Sequence, residues 1–318
     1  MQIDHFVLSN GKLRAENLKA GARISKSTRG DDWFDITSLE TSPLADFLAP
    51  LRLHPLILDL ALHPEKAPNA VHYGQDFLME IPVLINNSVQ ETGYITIIWR
   101  EGLLITIHPF PYFTETIKTL LGHETDHLKH ALHILYLIVD QIMDKQVHLQ
   151  IIVRDRILQL AQRLATNPRD VSANDLAQLR WQVDRMVSLA EGQLFCVGGL
   201  YTTDIDILRK EDRRAYIRDL KSSADIAEQT AYRLESRLND LFTHFQMIRS
   251  EDSEKRLRIL TILSAINLPL MLITGIYGMN LSWLPFASRT EGFLILMGFM
   301  AAIFLVELFI FRRLGWFD

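Results

Sequence analysis

The sequence predicts an α/β domain, then a long helical stalk, then two C-terminal membrane-spanning helices. Three observations lead to this fold class. Short apolar runs of strand and helix length alternate within residues 1–113. An apolar repeat with the period of a helix runs through residues 217–248. The third observation is the strongest, because residues 259–288 carry no charge and residues 292–311 carry one, Glu307.

Residues 1–113 are predicted to form the α/β domain. Three apolar runs have the length of buried strands: Phe77–Ile85, Gly93–Trp99 and Leu103–Ile107. The last two runs are separated by Arg100-Glu101-Gly102, whose length and composition are typical of a β-hairpin turn. Leu44–Leu51 and Pro55–Leu62 have the apolar spacing of short helices.

Residues 114–200 are predicted to form a helical arm. Apolar residues recur with helical spacing through its first half, and Asn167-Pro168 ends that helix. Ser172 and Asp175 then have the spacing of a capping box, which starts a second helix. We expect this helix to end before Gly198-Gly199, because such a pair favours a break.

Residues 201–258 are predicted to form a coiled-coil stalk helix. Ten apolar residues follow one another at alternating spacings of three and four: Ile217, Leu220, Ala224, Ala227, Ala231, Leu234, Leu238, Leu241, Phe245 and Ile248. This is the heptad pattern of a coiled coil. Apart from Pro269, nothing up to Gly275 forces a stop, so one helix should continue from the stalk into the first apolar segment. The alternative is a dimerisation coil joined to an unrelated anchor, which would be a membrane tether without transport.

Both apolar segments exceed the about 20 residues that a helix needs to cross a bilayer. The boundaries are a first span at 259–280, an outer loop at 281–291, a second span at 292–311 and a tail at 312–318. Basic residues flank the two spans on the same side: Lys255, Arg256, Arg258, Arg312 and Arg313. The positive-inside rule therefore places the α/β domain and both termini in the cytoplasm. The first residues lack the basic and apolar regions of a signal peptide, which fits this orientation.

Composition excludes several classes of protein. The chain has 33 basic and 38 acidic side chains among 318 residues, a net charge of −5. This balance argues against a nucleic-acid partner, which would call for a basic surface, and favours cations. The single cysteine, Cys196, excludes an internal disulfide framework and a multi-cysteine metal cluster.

The first span ends in the motif Tyr277-Gly278-Met279-Asn280. At this position, before a second span that closes the chain, the sequence resembles the CorA family of divalent metal-ion transporters. Further stretches that resemble family elements are Trp33–Thr37, Leu53–Asp59, Tyr216–Leu220 and Arg312–Trp316. The resemblance implies a homopentameric funnel in the inner membrane, with a divalent cation as cargo and regulator and with no cofactor.

The selectivity filter that the resemblance implies consists of Gly278, Met279 and Asn280. Mg²⁺ gives up its water reluctantly, so a selective entrance should hold the hydrated ion through its outer shell. Five Asn280 amides would offer oxygens that accept hydrogen bonds from the bound water. Gly278 would let a backbone carbonyl approach the pore axis. The alternative is that Asn280 only caps the helix.

One face of the first span is expected to line the pore and to form an apolar gate. Its residues, at helical spacing, are Leu257, Leu260, Ser264, Leu268, Met271 and Gly275. A narrow apolar constriction closes by losing its water. Ordinary packing between helices is the alternative explanation of the same pattern.

The resemblance also implies cytoplasmic cation sensing between subunits, with Asp219 and Asp59 at two of the family's acidic positions. Two further positions that are acidic in the family hold Leu60 and Thr243. The outer loop departs from the magnesium-type pattern as well, since Ser282 and Phe286 stand where acids are common. Fewer carboxylates concentrate divalent cations less at the pore mouth. A Zn²⁺ transporter similar to the ZntB branch, with proton coupling, therefore stays open as an alternative.

A second motif points to another class of protein. His123, Glu124 and His127 match H-E-x-x-H, in which two histidines one helical turn apart bind zinc and the glutamate acts as general base. The glycine that a metzincin needs seven residues after the first histidine is His130 here. The alternatives are a membrane-anchored zinc metalloenzyme, a cytosolic zinc-binding face at His123 and His127, and a solvated helix face.

Glu307 is the one acid inside a span. An ionisable residue within a membrane is a functional hypothesis by default. Arg312 lies one to two turns further on, so snorkelling or ion pairing is the expectation favoured over a role in transport.

Overall fold

The computed structural model describes residues 1–9, 12–16, 30–38, 41–85, 88–110, 112–113, 130–205, 208, 210–279, 285 and 291–316. The chain divides into two compact units, Met1–Leu241 and Phe242–Asp318, which are treated separately below. The first unit contains a seven-stranded sheet with helices on both faces, and the second contains the apolar end of the chain.

The sheet confirms the predicted α/β domain. Its strands are β1 (Gln2–Ser9), β2 (Lys12–Glu16), β3 (Asp31–Thr37), β4 (Asn69–Tyr73), β5 (Asp76–Ile85), β6 (Ser88–Arg100) and β7 (Leu103–His108). Their order across the sheet is β2-β1-β3-β7-β6-β5-β4. The pairing of β3 with β7 is parallel, and the other pairings are antiparallel. The three predicted strands correspond to β5, β6 and β7, whereas β1 to β4 were not predicted as strands.

The predicted hairpin turn joins β6 to β7. Arg100 pairs with Leu103, which leaves Glu101 and Gly102 as a two-residue loop. Gly102 has φ of 76°, a left-handed conformation that glycine adopts without strain. The turn therefore uses glycine where the backbone geometry requires it.

Two short helices, α1 (Thr41–Leu48) and α2 (Pro55–Leu62), cover one face of the sheet. The bounds of α2 are those predicted, and α1 begins three residues earlier than expected. Arg100 fixes the connection between the two helices to the sheet, because its guanidinium donates to the Leu51 and Arg52 carbonyls and pairs with Asp76. This face carries Asp59 on α2.

Two long helices, α3 (Ala131–Thr166) and α4 (Ala173–Thr202), cover the other face. The predicted capping box at the start of α4 is confirmed. The Asp175 backbone N–H donates to Ser172 Oγ over 3.1 Å, and the Ser172 N–H donates to the Asp175 carboxylate over 3.0 Å. These bonds lower the pKa of Asp175, because they favour its ionised form.

The expected break at Gly198-Gly199 is wrong, since α4 runs through both residues to Thr202. A Cβ on Gly199 would lie 2.4 Å from the Cβ of Ala70 on β4. A Cβ on Gly192 would lie 2.8 Å from ring carbons of Pro68 and Pro82. These two glycines therefore allow α4 to pack closely against the sheet, and the missing side chains reflect packing rather than a turn.

A single helix, α5 (Glu211–Tyr277), has 67 residues and passes through Pro269, which confirms the predicted continuous helix. Within the first unit its heptad residues are buried by the chain itself: Ile217, Leu220, Ala224, Ala227, Ala231, Leu234, Leu238 and Leu241. Gln150 Nε2 on α3 donates to the Ala227 carbonyl over 2.7 Å. The seam is thus occupied by the chain's own helices, which removes the basis for a dimerisation coil along this segment.

The second unit contains the end of α5 and the last helix, α6 (Gly292–Arg313). Both helices are long and apolar enough to cross a membrane, and almost none of either apolar segment is buried by the chain. A core helix of a water-soluble domain would bury these side chains. The exposed apolar surface therefore agrees with the two predicted spans.

Replacing Gly199 with Ala is expected to destabilise the first unit by about 1–3 kcal/mol, the usual cost of overpacking a core. The reason is the 2.4 Å approach of the new Cβ to Ala70. Thermal unfolding of the full-length protein in detergent, followed by near-ultraviolet circular dichroism, measures the effect.

Gly198→Ala is the matched control for this variant. A Cβ at Gly198 meets nothing within 4 Å, so helix propensity should leave the unfolding midpoint unchanged or raise it. Equal midpoints for the two variants would contradict the close-packing role of Gly199.

Candidate ion pathway and cation-sensing residues

The outer end of α5 leads into the predicted filter. The Gly278 N–H donates to the Thr274 carbonyl over 2.8 Å, and the Met279 N–H donates to the Ile276 carbonyl over 3.1 Å, so the chain continues the last helical turn. A Cβ on Gly278 would lie 3.1 Å from the Thr274 carbonyl oxygen, which gives glycine a local steric reason at this position. Asn280 lies outside the described residues.

Tyr277, at the end of α5, contacts the one described residue of the segment after the filter. Tyr277 OH donates to the Pro285 carbonyl over 3.3 Å. The tyrosine of the motif therefore contacts Pro285, which is a role separate from contact with an ion. Ser282 and Phe286, the two departures from the magnesium-type pattern, lie outside the described residues.

The six predicted pore residues form one uncovered face of α5, here called the open face: Leu257, Leu260, Ser264, Leu268, Met271 and Gly275. All six are exposed in the single chain, with Leu268 at 69% and Met271 at 71%. No described residue of the chain buries them, so they are available to other copies of the chain or to lipid.

A second set of residues on the same helix is covered and is here called the packed stripe: Arg258, Ile262, Ala265, Ile266, Pro269, Leu270, Ile273 and Tyr277. Ile262, at 9% exposure, is the most covered of them. With 3.6 residues per turn, the packed stripe lies on the side of α5 opposite the open face. A helix that packs on this stripe would leave the open face uncovered.

The polar side chains of the first span bond to their own helix. Thr261 Oγ1 donates to the Leu257 carbonyl, and Asn267 Nδ2 donates to the Leu263 carbonyl over 2.9 Å. Thr274 Oγ1 donates in the same way to the Met271 carbonyl. Their hydrogen bonds are satisfied locally, so they do not require a partner helix.

Asp219 on α5 is exposed and lies beside Asp140 of α3. Its Oδ2 accepts a hydrogen bond from Tyr136 OH over 2.8 Å. Burial raises the pKa of Asp140, and the neighbouring charges of Asp144 and Asp219 raise it further. Burial and the bond to Asp219 raise the pKa of Tyr136. Like charges are thus concentrated where a divalent cation would relieve their repulsion.

The sequence reasoning missed this neighbourhood of Asp219. Tyr136, Asp140 and Asp144 are spaced four residues apart, which places them on one face of α3. That spacing was visible in the sequence, but the contact of this face with Asp219 depends on the packing of α3 against α5. No group of three or more His, Cys, Asp or Glu side chains is arranged to hold a metal ion within the described part of the chain.

Asp59 lies far from this group in the fold. It is on α2, with 73% of its side chain exposed, and His63 Nδ1 lies 3.2 Å from its carboxylate. Because α2 and the Asp219 segment of α5 pack on opposite faces of the sheet, the two predicted sensing residues do not meet within one chain.

The H-E-x-x-H residues His123, Glu124 and His127 lie outside the described residues. The two histidines that follow are part of the start of α3. His133 Nδ1 accepts a hydrogen bond from the His130 N–H over 3.1 Å, and Asp31 Oδ2 accepts one from the Ala131 N–H over 2.6 Å. His130 and His133 therefore have a structural role in capping this helix.

The fold and the two apolar helices define a membrane protein with an α/β domain, a long helix and a hairpin of spans. Residues 30–313 match the family model described as CorA-like Mg²⁺ transporter protein, so the chain belongs to this family. A curated relative, the putative metal ion transporter YfjQ of Bacillus subtilis, is 23% identical over 289 residues, which cover 90% of this chain and 89% of that protein.

Solved structures agree on the fold. The complete CorA magnesium transporter of Methanocaldococcus jannaschii superposes with a TM-score of 0.80 at 20% identity, covering 99% of each chain. The cytoplasmic domain of ZntB from Vibrio parahaemolyticus superposes with a TM-score of 0.66 at 14% identity, covering 78% of this chain and 98% of that domain.

Family membership settles the class of protein. Members of the family are membrane transporters of divalent cations and not enzymes, and the cation is their cargo rather than a cofactor. The metalloenzyme alternative built on His123, Glu124 and His127 is therefore set aside.

Proposed function

We propose that this protein is a homopentameric CorA-type channel or transporter that conducts Mg²⁺, with Co²⁺ and Ni²⁺ as further cargo, across the inner membrane. The observation that carries the proposal is the open face of α5, which is exposed among the described residues and precedes Gly278, Met279 and Asn280 in the chain. Five copies of this face around one axis would form an apolar pore below a ring of amides.

Asn280 and Gly278 select the ion in this proposal. A hydrated divalent cation orders its water so that the hydrogens point outward, and amide oxygens accept hydrogen bonds from that water. The ion enters with its inner shell intact because Mg²⁺ loses water reluctantly. A bare carboxylate ring would instead bind the ion tightly and slow its release.

The gate in this proposal is the apolar part of the open face, from Leu257 to Met271. Narrow apolar rings exclude water and thereby an ion that carries its water. A small outward movement of the helices would rewet the pore.

Cytoplasmic cations regulate this gate in the proposal, through sites that need two subunits. Asp219 lies on one side of the sheet, with Asp140 next to it and Asp144 next to Asp140. Asp59 lies on the other side of the sheet. A cation held by Asp219 of one subunit and Asp59 of the next would link neighbouring subunits and hold the pore closed.

The orientation follows the charges that flank the spans. Lys255, Arg256 and Arg258 precede the first span, and Arg312 and Arg313 end the second. We place both termini and the α/β domain in the cytoplasm and the loop at 281–291 outside.

Zn²⁺ transport is the second candidate, because Ser282 and Phe286 replace acids that would concentrate Mg²⁺ at the mouth. Flux of Mg²⁺, Co²⁺, Ni²⁺ and Zn²⁺ into proteoliposomes, measured side by side, separates the two candidates. A preference for Zn²⁺ that depends on a proton gradient would favour the second.

Asn280→Ala is expected to lower Mg²⁺ flux into proteoliposomes at least about tenfold, since five amide–water hydrogen bonds of about 1 kcal/mol each are lost. Asn267→Ala is the matched control, because its amide is bonded to its own helix at the Leu263 carbonyl. Unchanged flux in Asn280→Ala would refute the filter.

Leu268→Ser is expected to raise Mg²⁺ leak under high Mg²⁺ on both sides, because a hydroxyl in the apolar ring favours water in the closed pore. Leu263→Ser is the control, since Leu263 is 58% exposed but lies off the open face. The gate is placed wrongly if both serine variants leak equally.

Asp219→Asn is expected to reduce the rise in unfolding temperature that Mg²⁺ produces, measured with the full-length protein in detergent. Asp184→Asn, an exposed acid of α4, should leave that rise intact. Because the pKa of Asp140 is raised, protons compete with the cation there first, so the Mg²⁺ effect should weaken as pH falls towards the carboxyl range. An Mg²⁺ effect that is the same in Asp219→Asn and the wild type would exclude the site.

A further inference from the structure

Glu307 lies in the last third of the second span. It follows Gly292 by 15 residues and precedes Arg313 by six, which corresponds to about 22 Å and about 9 Å along the helix. It is the one charged residue between residues 292 and 311.

Glu307 belongs to the less exposed face of α6. The covered residues of α6 recur every three or four positions: Gly292, Leu296, Met300, Ile303, Glu307 and Phe311. The packed stripe of α5 has the same spacing and runs in the opposite direction. Glu307 lies 15 residues after Gly292, and Ile262 lies 15 residues before Tyr277. Ile262 is the most covered residue of the first span. An antiparallel pairing of these two faces would place the carboxyl beside Ile262.

The carboxyl has no partner at this position. Glu307 Oε2 is shielded from solvent and has no hydrogen-bond partner among the described residues. This differs from the snorkelling or ion pairing expected from the sequence, since a snorkelling carboxyl would reach water. An unpaired carboxylate within hydrocarbon is costly, and taking up a proton removes the charge.

Among the basic groups that flank the two spans, one belongs to the packed stripe and four are exposed. Arg258 belongs to the packed stripe about one turn, or about 6 Å, nearer the cytoplasm than Ile262. Lys255 and Arg256 on α5 and Arg312 and Arg313 on α6 are exposed. None of these groups donates a hydrogen bond to Glu307 Oε2. A deprotonated Glu307 would be attracted to the positive charge of Arg258, and this attraction would favour a different packing of the two helices.

We propose that Glu307 is a proton-binding site between the two spans, occupied when the helices pack as they do here, and that its occupancy sets ion flux. Loss of the proton changes the packing of α6 on α5, and α5 carries the open face on its other side. The flux readout rests on the proposed function, whereas the protonation of Glu307 does not.

The test measures Mg²⁺ flux in proteoliposomes with equal pH on both sides, so that no proton gradient contributes. Wild-type flux should pass between two plateaus over about two pH units, the width of one titration. Glu307→Gln, which mimics the protonated side chain, should be independent of pH and match the acid plateau. Glu307→Asp keeps a carboxyl and should retain a transition at a shifted pH. Glu291→Gln, an exposed acid at the start of α6, is the control and should keep the wild-type profile.

A second measurement does not depend on transport. The infrared band of a protonated carboxyl in the full-length protein should titrate with pH, and Glu307→Gln should remove it. The proposal is overturned if Glu307→Gln keeps the wild-type pH profile or if its infrared titration equals that of the wild type. Absence of flux at every pH in the wild type would refute the proposed function, and the infrared result would still decide the state of Glu307.

Discussion

A helix that crosses hydrocarbon must satisfy its own backbone, and the apolar end of this chain is organised around that requirement. Pro269 cannot donate a backbone hydrogen bond, so the Ala265 carbonyl lacks its usual donor. Both residues belong to the packed stripe. Thr261 and Asn267 donate to carbonyls of their own helix. The side-chain donors of Thr261 and Asn267 are thus satisfied within the helix, and the backbone interruption at Pro269 lies away from the open face.

The first part of α5 lies in a different environment, because other helices of the same chain pack on its heptad residues. Ala224, Ala227 and Ala231 are small enough for α5 to approach the other helices closely, and Gln150 donates to the Ala227 carbonyl. Because this seam is already used, a contact with another copy of the chain along this segment would use other surfaces of the helix. A heptad repeat therefore indicates a helix with one apolar stripe, and it does not say whether the partner is the same chain or another.

The features that depend on local pattern could be predicted from the sequence, and those that depend on distant partners could not. The continuous α5, the capping box at Ser172 and the hairpin at Gly102 all follow from residues close together in the chain. Strand β3 was missed because its three aspartates interrupt the apolar pattern.

The partners of those aspartates lie elsewhere in the chain. His5 Nε2 lies 3.0 Å from Asp32, His108 Nε2 lies 2.8 Å from Asp35, and Asp31 caps α3. A buried carboxylate is tolerated only with such partners, and no local window of sequence reveals them. The glycines of α4 were misread for the same reason, since Ala70 is the neighbour that requires Gly199.

The position of the two sensing residues has a consequence for how sensing and assembly are related. Asp59 and Asp219 are separated by a seven-stranded sheet with helices packed on both faces, a layer that a single ion cannot bridge. Ca²⁺ and Mg²⁺ bind protein oxygens at about 2–2.6 Å, so both carboxylates must approach the ion closely. A cation shared by these residues therefore has to bring two chains together. In that case cation binding and the arrangement of the subunits are one equilibrium. An ion that binds the shared site shifts the equilibrium between the closed and the open pore by the free energy with which it stabilises that arrangement.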